Sequence, residues 1–262
     1  MRVLFTLLLI VVAFACAASA EGARLTVRQV SEILMKTAPG HSPDFSHEDL
    51  SFLDLSDLDF KGAKLIGANL YGADLSRDNL SGADLSGANL DHAVITRTNF
   101  AGANLSNASL YDSAAYSTLE ASAAEAPNFA GANLSGARVV ARLIRVDMHG
   151  ADLTGVQMSM GTDQLITAVR NNDHSGCDLS NANLTDADVR QVRLTFANLT
   201  NADLSGANLV SSDMTHADLT GANIAGADLT GVDLEGTVMR HVKGLQEAKG
   251  LDHARNWDKA IR

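Results

Sequence analysis

The chain has 262 residues, of which 46% are hydrophobic but only 5% aromatic, and its formal net charge is −11. That length allows one sizeable core. The acidic balance excludes a surface built to follow a phosphate backbone, which needs a basic stripe. With only two cysteines, a disulfide framework is excluded as well.

Residues 1–20 read as a secretory signal: Arg2, an apolar run from Val3 to about Ala15, then the small-x-small site Ala18-Ser19-Ala20 before Glu21. The run is short for a membrane span of roughly 20 residues. Cys16 offers lipidation as an alternative, but Phe14 is bulky for that processing site, and cleavage between Ala20 and Glu21 fits better. The expected location is periplasmic or secreted. Removing Arg2 with the leader takes the net charge from −11 to −12. It also leaves Cys177 as the one cysteine, in a slot where a small residue is packed inward.

Residues 21–48 form a lead-in with one helical segment over 26–37. Thr26 and Gln29 have capping-box spacing, Val27, Val30, Ile33 and Leu34 share a face, and Pro39-Gly40 ends the segment. A coiled β-structure exposes an apolar cross-section and an open strand edge at its first turn, so this helix is expected to be a lid.

From 49 to 243 a five-residue phrase dominates. A large apolar centre recurs every five residues from Leu50 to Leu110, and again from Leu179 to Met239. Two residues before each centre stands a small residue, usually Ala; Asp or Asn lies between them, Ser or Thr follows, and Gly most often holds the fifth place. In extended backbone, residues two apart share a face, so Ala and Leu point inward and Asp or Asn outward. A period of five gives no stripe on a 3.6-residue helix. Gly at the fifth place supplies a corner. The chain must therefore coil, each phrase relying on its neighbours to cover its apolar face.

These phrases, NANLT, NADLS, GANLV and HADLT among them, resemble the pentapeptide-repeat family, A-[DN]-L-x-x. The resemblance implies an all-β fold: a right-handed quadrilateral β-helix with four phrases per coil. It is specific for fold and unspecific for function.

Leu53 and Leu58 fill slots that Ala63, Ala68 and Ala73 hold later, which predicts a flare under the lid. Two excursions from the wall are expected near 111–128 and 159–176. Between them, centres run Phe129, Leu134, Val139, then lose one residue and resume at Leu143, Met148, Leu153 and Met158. About eight coils remain. Residues 244–262 drop the repeat and predict short helical turns as a C-terminal cap, with Trp257 packed inside.

With four phrases per coil, residues twenty apart stack. One face then reads Asp188, Asn208, Asp228 and another Asn183, Asp203, Asn223, spacing the charges; Asp54 over Asp74 and Asp213 over Asp233 break the alternation. Asp188, Asp203, Asp213, Asp218, Asp228 and Asp233 form the candidate partner surface. Arg138, Arg142 and Arg145, near the register break, join it as a contact for an anion or protein, or as counter-charges to nearby Asp. The alternative role for the acids is to keep a long β-protein soluble.

No catalytic motif appears, and no cofactor is implied. The segment 171–176 opens like a calcium loop, but Ala182 stands where a bidentate Glu belongs. Asp173, His174 and Cys177 are weak metal candidates. The sequence therefore points to a non-enzymatic, exported scaffold or binding protein of a Gram-negative envelope, with a protein or envelope component as partner and a cap available for dimerisation. Some members of the family imitate duplex DNA and engage type II topoisomerases, which requires a cytosolic chain. A polysaccharide-active β-helix enzyme is the third reading, with Tyr71 and Tyr111 as its only sugar-platform candidates.

Overall fold

The computed structural model describes residues 24–38, 40–118, 120–159 and 172–262. The expected leader and its expected cleavage site, Ala20 and Glu21, lie outside the described residues, as does most of the second expected excursion.

Helix α1 (Val27–Lys36) begins at Thr26, whose side chain and that of Gln29 form the reciprocal capping box. Val30 is fully buried, and Ile33 and Leu34 pack on the same core. Leu53 and Leu58 of the first coil are half-buried against that core too. Ser31, Leu34 and Met35 line a cleft with Asp57, Leu58 and Asp59, which seats the helix on the first coil.

The rest of the described chain winds into a four-sided tube held by parallel bridges. One series of bridged residues is Asp44, Lys64, Asp84, Asn104, Asn133, Asp152, Asn183, Asp203, Asn223 and Lys243. These ten levels exceed the eight anticipated; nine spacings of about 4.8 Å make a rod about 43 Å long. Three parallel series, starting at Asp49, Asp54 and Asp59, give the other walls. Every centre from Phe45 to Leu110 and from Leu179 to Met239 is buried. The repeat starts one phrase earlier than the sequence suggested, because Phe45 is a centre and Asp44 bridges Lys64.

The outward Asp or Asn has a job in the backbone. Its Oδ1 accepts the N–H two residues ahead, as in Asp49 with Ser51 (3.1 Å), Asp203 with Ser205 (2.9 Å) and Asn223 with Ala225 (3.2 Å). This turn is local and cheap for Asx side chains, and it leads the chain into the corner. The corner residue then takes a left-handed conformation. Gly is suited to it, yet Phe52 (φ 55°), Arg77 (φ 66°) and Phe196 (φ 60°) hold corners as well.

Three departures from the sequence reading have clear causes, and the lost residue that the sequence did show has a structural consequence. The first excursion is shorter than 111–128: Asp112 makes a corner (φ 53°), Ala114 bridges Val94, and Ala115 is buried as a small centre. Alanine in place of Leu hid that phrase. The wall is back by Glu125, whose carbonyl accepts the Arg97 N–H at 2.7 Å.

The lost residue after Val139 removes a corner. Strands β1 (Ser109–Tyr111) and β2 (Arg138–Val140) pair in parallel there, a longer run than the single bridges elsewhere.

The second excursion ends before 176. Asp173 bridges Arg193, Asn172 is buried in the small-residue slot, and His174 is a centre with no exposed surface. A histidine at a Leu position concealed this phrase.

The C-terminal segment continues the wall instead of leaving it. Lys243, Lys249, Arg255 and Ile261 bridge Asn223, Asp228, Asp233 and Val238 in six-residue steps. The extra residue per side is absorbed by turns, 3₁₀ at Leu251–His253 and Trp257–Lys259. Trp257 is half-buried against the core, with the Arg262 guanidinium 4.3 Å over its ring.

Candidate interaction surface

The walls carry ladders of amide and carboxylate. Asn69 Nδ2 donates to Asp49 Oδ1 (3.0 Å), Asn79 to Asp59 (2.9 Å), Asn104 to Asp84 (2.9 Å), Asn198 to Asp178 (3.0 Å) and Asn223 to Asp203 (3.0 Å). The alternation therefore does more than dilute charge, because these amides bond the carboxylate one coil away. Hydrogen bonds from Ser205, and then from Asn223, hold the Asp203 carboxyl below the usual range, against the opposing effect of burial.

The candidate acids are spread over all four walls. Asp203 lies in the series of Asp44, Asp188 and Asp228 in that of Asp49, Asp213 and Asp233 in that of Asp54, and Asp218 in that of Asp59. They do not form one patch. Several are already matched. Arg190 takes Asp188 through Nε (2.7 Å) and its second nitrogen (2.6 Å). Asp233 meets Asn256 (2.8 Å) and Arg255 (3.6 Å) in the last coil.

The arginines do not converge on a common anion site. Arg138 covers the Tyr111 ring at 4.1 Å, and Arg142 lies 5.6 Å over Tyr116 and reaches the Thr118 carbonyl. Arg145 turns a corner, its Cγ packed against Gly176. Arg193 pairs with Asp173 at 3.1 Å.

The metal candidates face different ways. Asp173 is bonded to Ser175 and Arg193 on the outer side, whereas His174 and Cys177 are inside the tube. The Cys177 thiol donates to the Leu143 carbonyl, and burial pushes its pKa up to about 12. Burial pushes His174 down to about 4, so its ring is neutral, and among the described residues neither ring nitrogen has a hydrogen-bond partner. Among the described residues no group of three His, Cys, Asp or Glu is placed to hold a metal ion.

Two features escaped the sequence reading. Asp78 occupies a small-residue slot two before Leu80 and is 1% exposed. Its Oδ1 accepts the Leu58 N–H at 2.8 Å, its Oδ2 has no hydrogen-bond partner among the described residues, and burial pushes the carboxyl up to about 8. Only its register, two before Leu80, pointed to that slot. The second feature is a row of rings along one corner: Phe52 against Tyr71 (5.3 Å), Tyr71 against His92 (5.1 Å) and His92 against Tyr111 (5.9 Å). Their sequence spacing alternates between 19 and 21 instead of holding at 20, which hid the row.

Comparison with known proteins agrees with the repeat geometry. A family model for pentapeptide repeats matches in eight copies over residues 44–77, 79–113, 128–159, 170–201 and 197–236. A search of curated proteins found no match. Among solved structures, HetL, a pentapeptide repeat protein involved in heterocyst differentiation regulation in the cyanobacterium Nostoc, is 24% identical, covering 91% of this chain and 100% of its own, with a TM-score of 0.39. QnrB1, a plasmid-mediated fluoroquinolone resistance protein, is 19% identical over 77% of this chain and 93% of its own, with a TM-score of 0.34. A pentapeptide repeat protein of the Arabidopsis thaliana thylakoid lumen is 26% identical over 50% of this chain and 74% of its own, with a TM-score of 0.21. With these scores the assignment rests on the family model, which spans most of the chain: the protein belongs to the pentapeptide repeat family, whose members fold as right-handed quadrilateral β-helices.

Proposed function

We propose that this chain is a non-enzymatic scaffold or binding protein of a Gram-negative envelope, exported by residues 1–20 and presenting its β-helical surface to another macromolecule. The observation that carries the reading is the leader itself: Arg2, an apolar run and Ala18-Ser19-Ala20 ahead of a repeat wall. The wall supports it, because Oδ1 of many outward carboxylates serves the backbone turn and leaves the other oxygen for a partner. The role is recognition, and the partner is a protein or envelope component. Nucleic acid does not suit an acidic wall.

The end of the rod supports self-association as a further contact. Leu245, Leu251 and Trp257 border an open cleft of ≈ 500 Å³ on the last coil. Light scattering on the purified protein reads that association directly.

Cell fractionation with N-terminal sequencing tests export. Mature protein beginning at Glu21 outside the cytoplasm is the expected result. Full-length protein carrying Met1 in the cytosol would overturn it and restore the topoisomerase reading. A pull-down from envelope extract tests recognition, and a wild-type bait that captures nothing above background counts against it.

A further inference from the structure

The row of rings sits on the corner between the walls that start at Asp49 and Asp54. Phe52 and His92 are left-handed corner residues, at φ 55° and 58°, while Tyr71 and Tyr111 each precede the corner of their coil. The row spans four levels, about 15 Å, or four to five residues of extended chain. Its upper end is closed by the chain's own Arg138, whose guanidinium carbon lies 4.1 Å from the Tyr111 centroid. Its lower end is open, with Phe52 68% exposed.

Two things mark Phe52, both shared with Phe196 (φ 60°, 66% exposed). A phenylalanine at positive φ is strained, and Gly holds this corner one coil later, at Gly72. It also leaves a large ring in water, without the burial that makes an aromatic favourable. Beside it, Asp54 bridges Asp74 directly, with no amide between the two carboxylates of the kind that joins Asn69 to Asp49, and their charge is offset in part by Arg77, which is itself held by Asp57. Rings edged by paired carboxylates suit a cation, which gains from the π-face and the charge together. Arg138 on Tyr111 shows that contact within the molecule.

We propose that the open end of this row, Phe52 and Tyr71 with Asp54 and Asp74, docks an extended basic segment of a protein partner, an Arg or Lys side chain lying on Phe52. This rests on the reading of the chain as a binding protein and names the surface and the partner's chemistry. A sugar platform is the competing use of aromatic rows, but the rings here meet edge to face, at 70° and 67°, and do not form the flat face a pyranose stacks on.

The test is fluorescence anisotropy with a labelled peptide alternating arginine with serine, at about 0.15 M salt so that long-range attraction is screened. Phe52→Gly is the main variant, since glycine suits that backbone and leaves the fold intact. Phe196→Gly, at an equally exposed ring on another corner, is the control. Phe52→Gly should weaken binding roughly tenfold and Phe196→Gly by less than about twofold. Equal affinities for all three proteins would mean that the acidic walls bind the peptide generally, and the proposal fails. It also fails if the wild type ignores the peptide, or if a chito-oligosaccharide binds in a Phe52-dependent way instead. Repeating the envelope pull-down with Phe52→Gly separates the two ideas: a partner retained by both baits leaves the binding role standing and removes the row from it.

Discussion

The Phe52 ring lies across Gly72, so that a Cβ on Gly72 would stand 2.8 Å from two of its carbons. The same relation joins His47 to Gly67, Asp186 to Gly206, Asn201 to Gly221 and His216 to Gly236. A side chain at a left-handed corner falls over the corner of the next coil, and glycine there gives it room. Where that next corner is not glycine, the two side chains can complement each other: Arg77 pairs with Asp57 (2.5 Å), Asp112 with His92 (3.3 Å), and His216 stacks on Phe196 (5.1 Å).

Gly72→Ala should therefore cost about 2 kcal/mol, part from positive φ and part from displacing the ring. In a Phe52→Gly background the ring contribution vanishes, and the same change should cost about 1 kcal/mol. A double-mutant cycle by urea unfolding measures the difference. Additive costs would mean that the ring swings aside freely.

Leu204 is fully buried on the axis, while Ser205 is half-exposed and donates to Asp203 at 2.6 Å. Leu204→Asp should cost more than about 4 kcal/mol, by burying an unpaired charge. Ser205→Asp should cost about 1 kcal/mol, since it loses that hydrogen bond and sets a second carboxylate beside the first. Equal melting temperatures would reverse the assignment of inward and outward positions.

Stability should be squeezed at both ends of the pH scale. Asp78 is raised to about 8 by burial, from an ordinary 3.8. Its stabilising contribution is thus fully present below pH 3.8 and is lost as pH rises towards 8, where the fold must hold a buried carboxylate. Asp78→Asn keeps an acceptor for the Leu58 N–H and does not titrate, so its advantage over wild type should grow between pH 4 and 8 by several kcal/mol, at about 1.4 kcal/mol per unit. His174 works in the opposite range. Its folded value of about 4 lies below the ordinary 6.5, so stability is lost as pH falls between them. His174→Leu, which restores the usual centre, should flatten the acid limb. Parallel melting-temperature profiles for wild type and both variants would show that neither group controls it.

The inward register was legible because it repeats: Leu204 and Ala202 could not exchange roles with Asp203 without turning every phrase inside out. Phrases that broke the alphabet while keeping the geometry were not. Ala115 is too small to look like a centre, His174 too polar, and the six-residue steps to Lys249 and Arg255 conceal that the last side of the tube is still a side. Asp78 was visible in register, but a single acid among so many on the surface carries no mark of being inside. The ring row depends on side chains leaning between levels, so Tyr71 reaches both Phe52 and His92 from one residue before its corner, and no strict period reports that.

The limits of the first excursion give the sharpest test of the coil. Replacing 111–128 with a short connector should unfold the protein. It removes the Ser113 hydroxyl's bond to the Leu90 carbonyl (2.8 Å), the Ala114 bridge to Val94 and the buried Ala115, a whole phrase of the wall. Replacing only 117–124 should be tolerated at a cost of about 1–2 kcal/mol. That deletion gives up the Ser117–Glu125 bonds and the Arg142 contact with Thr118, but it keeps Tyr116, whose hydroxyl donates to the Ile144 carbonyl, and the Glu125 carbonyl that receives Arg97. Circular dichroism and urea unfolding of the two variants distinguish the outcomes. A folded 111–128 variant would mean that the tube can skip one side of a coil, contrary to the dependence of every phrase on the ones above and below it.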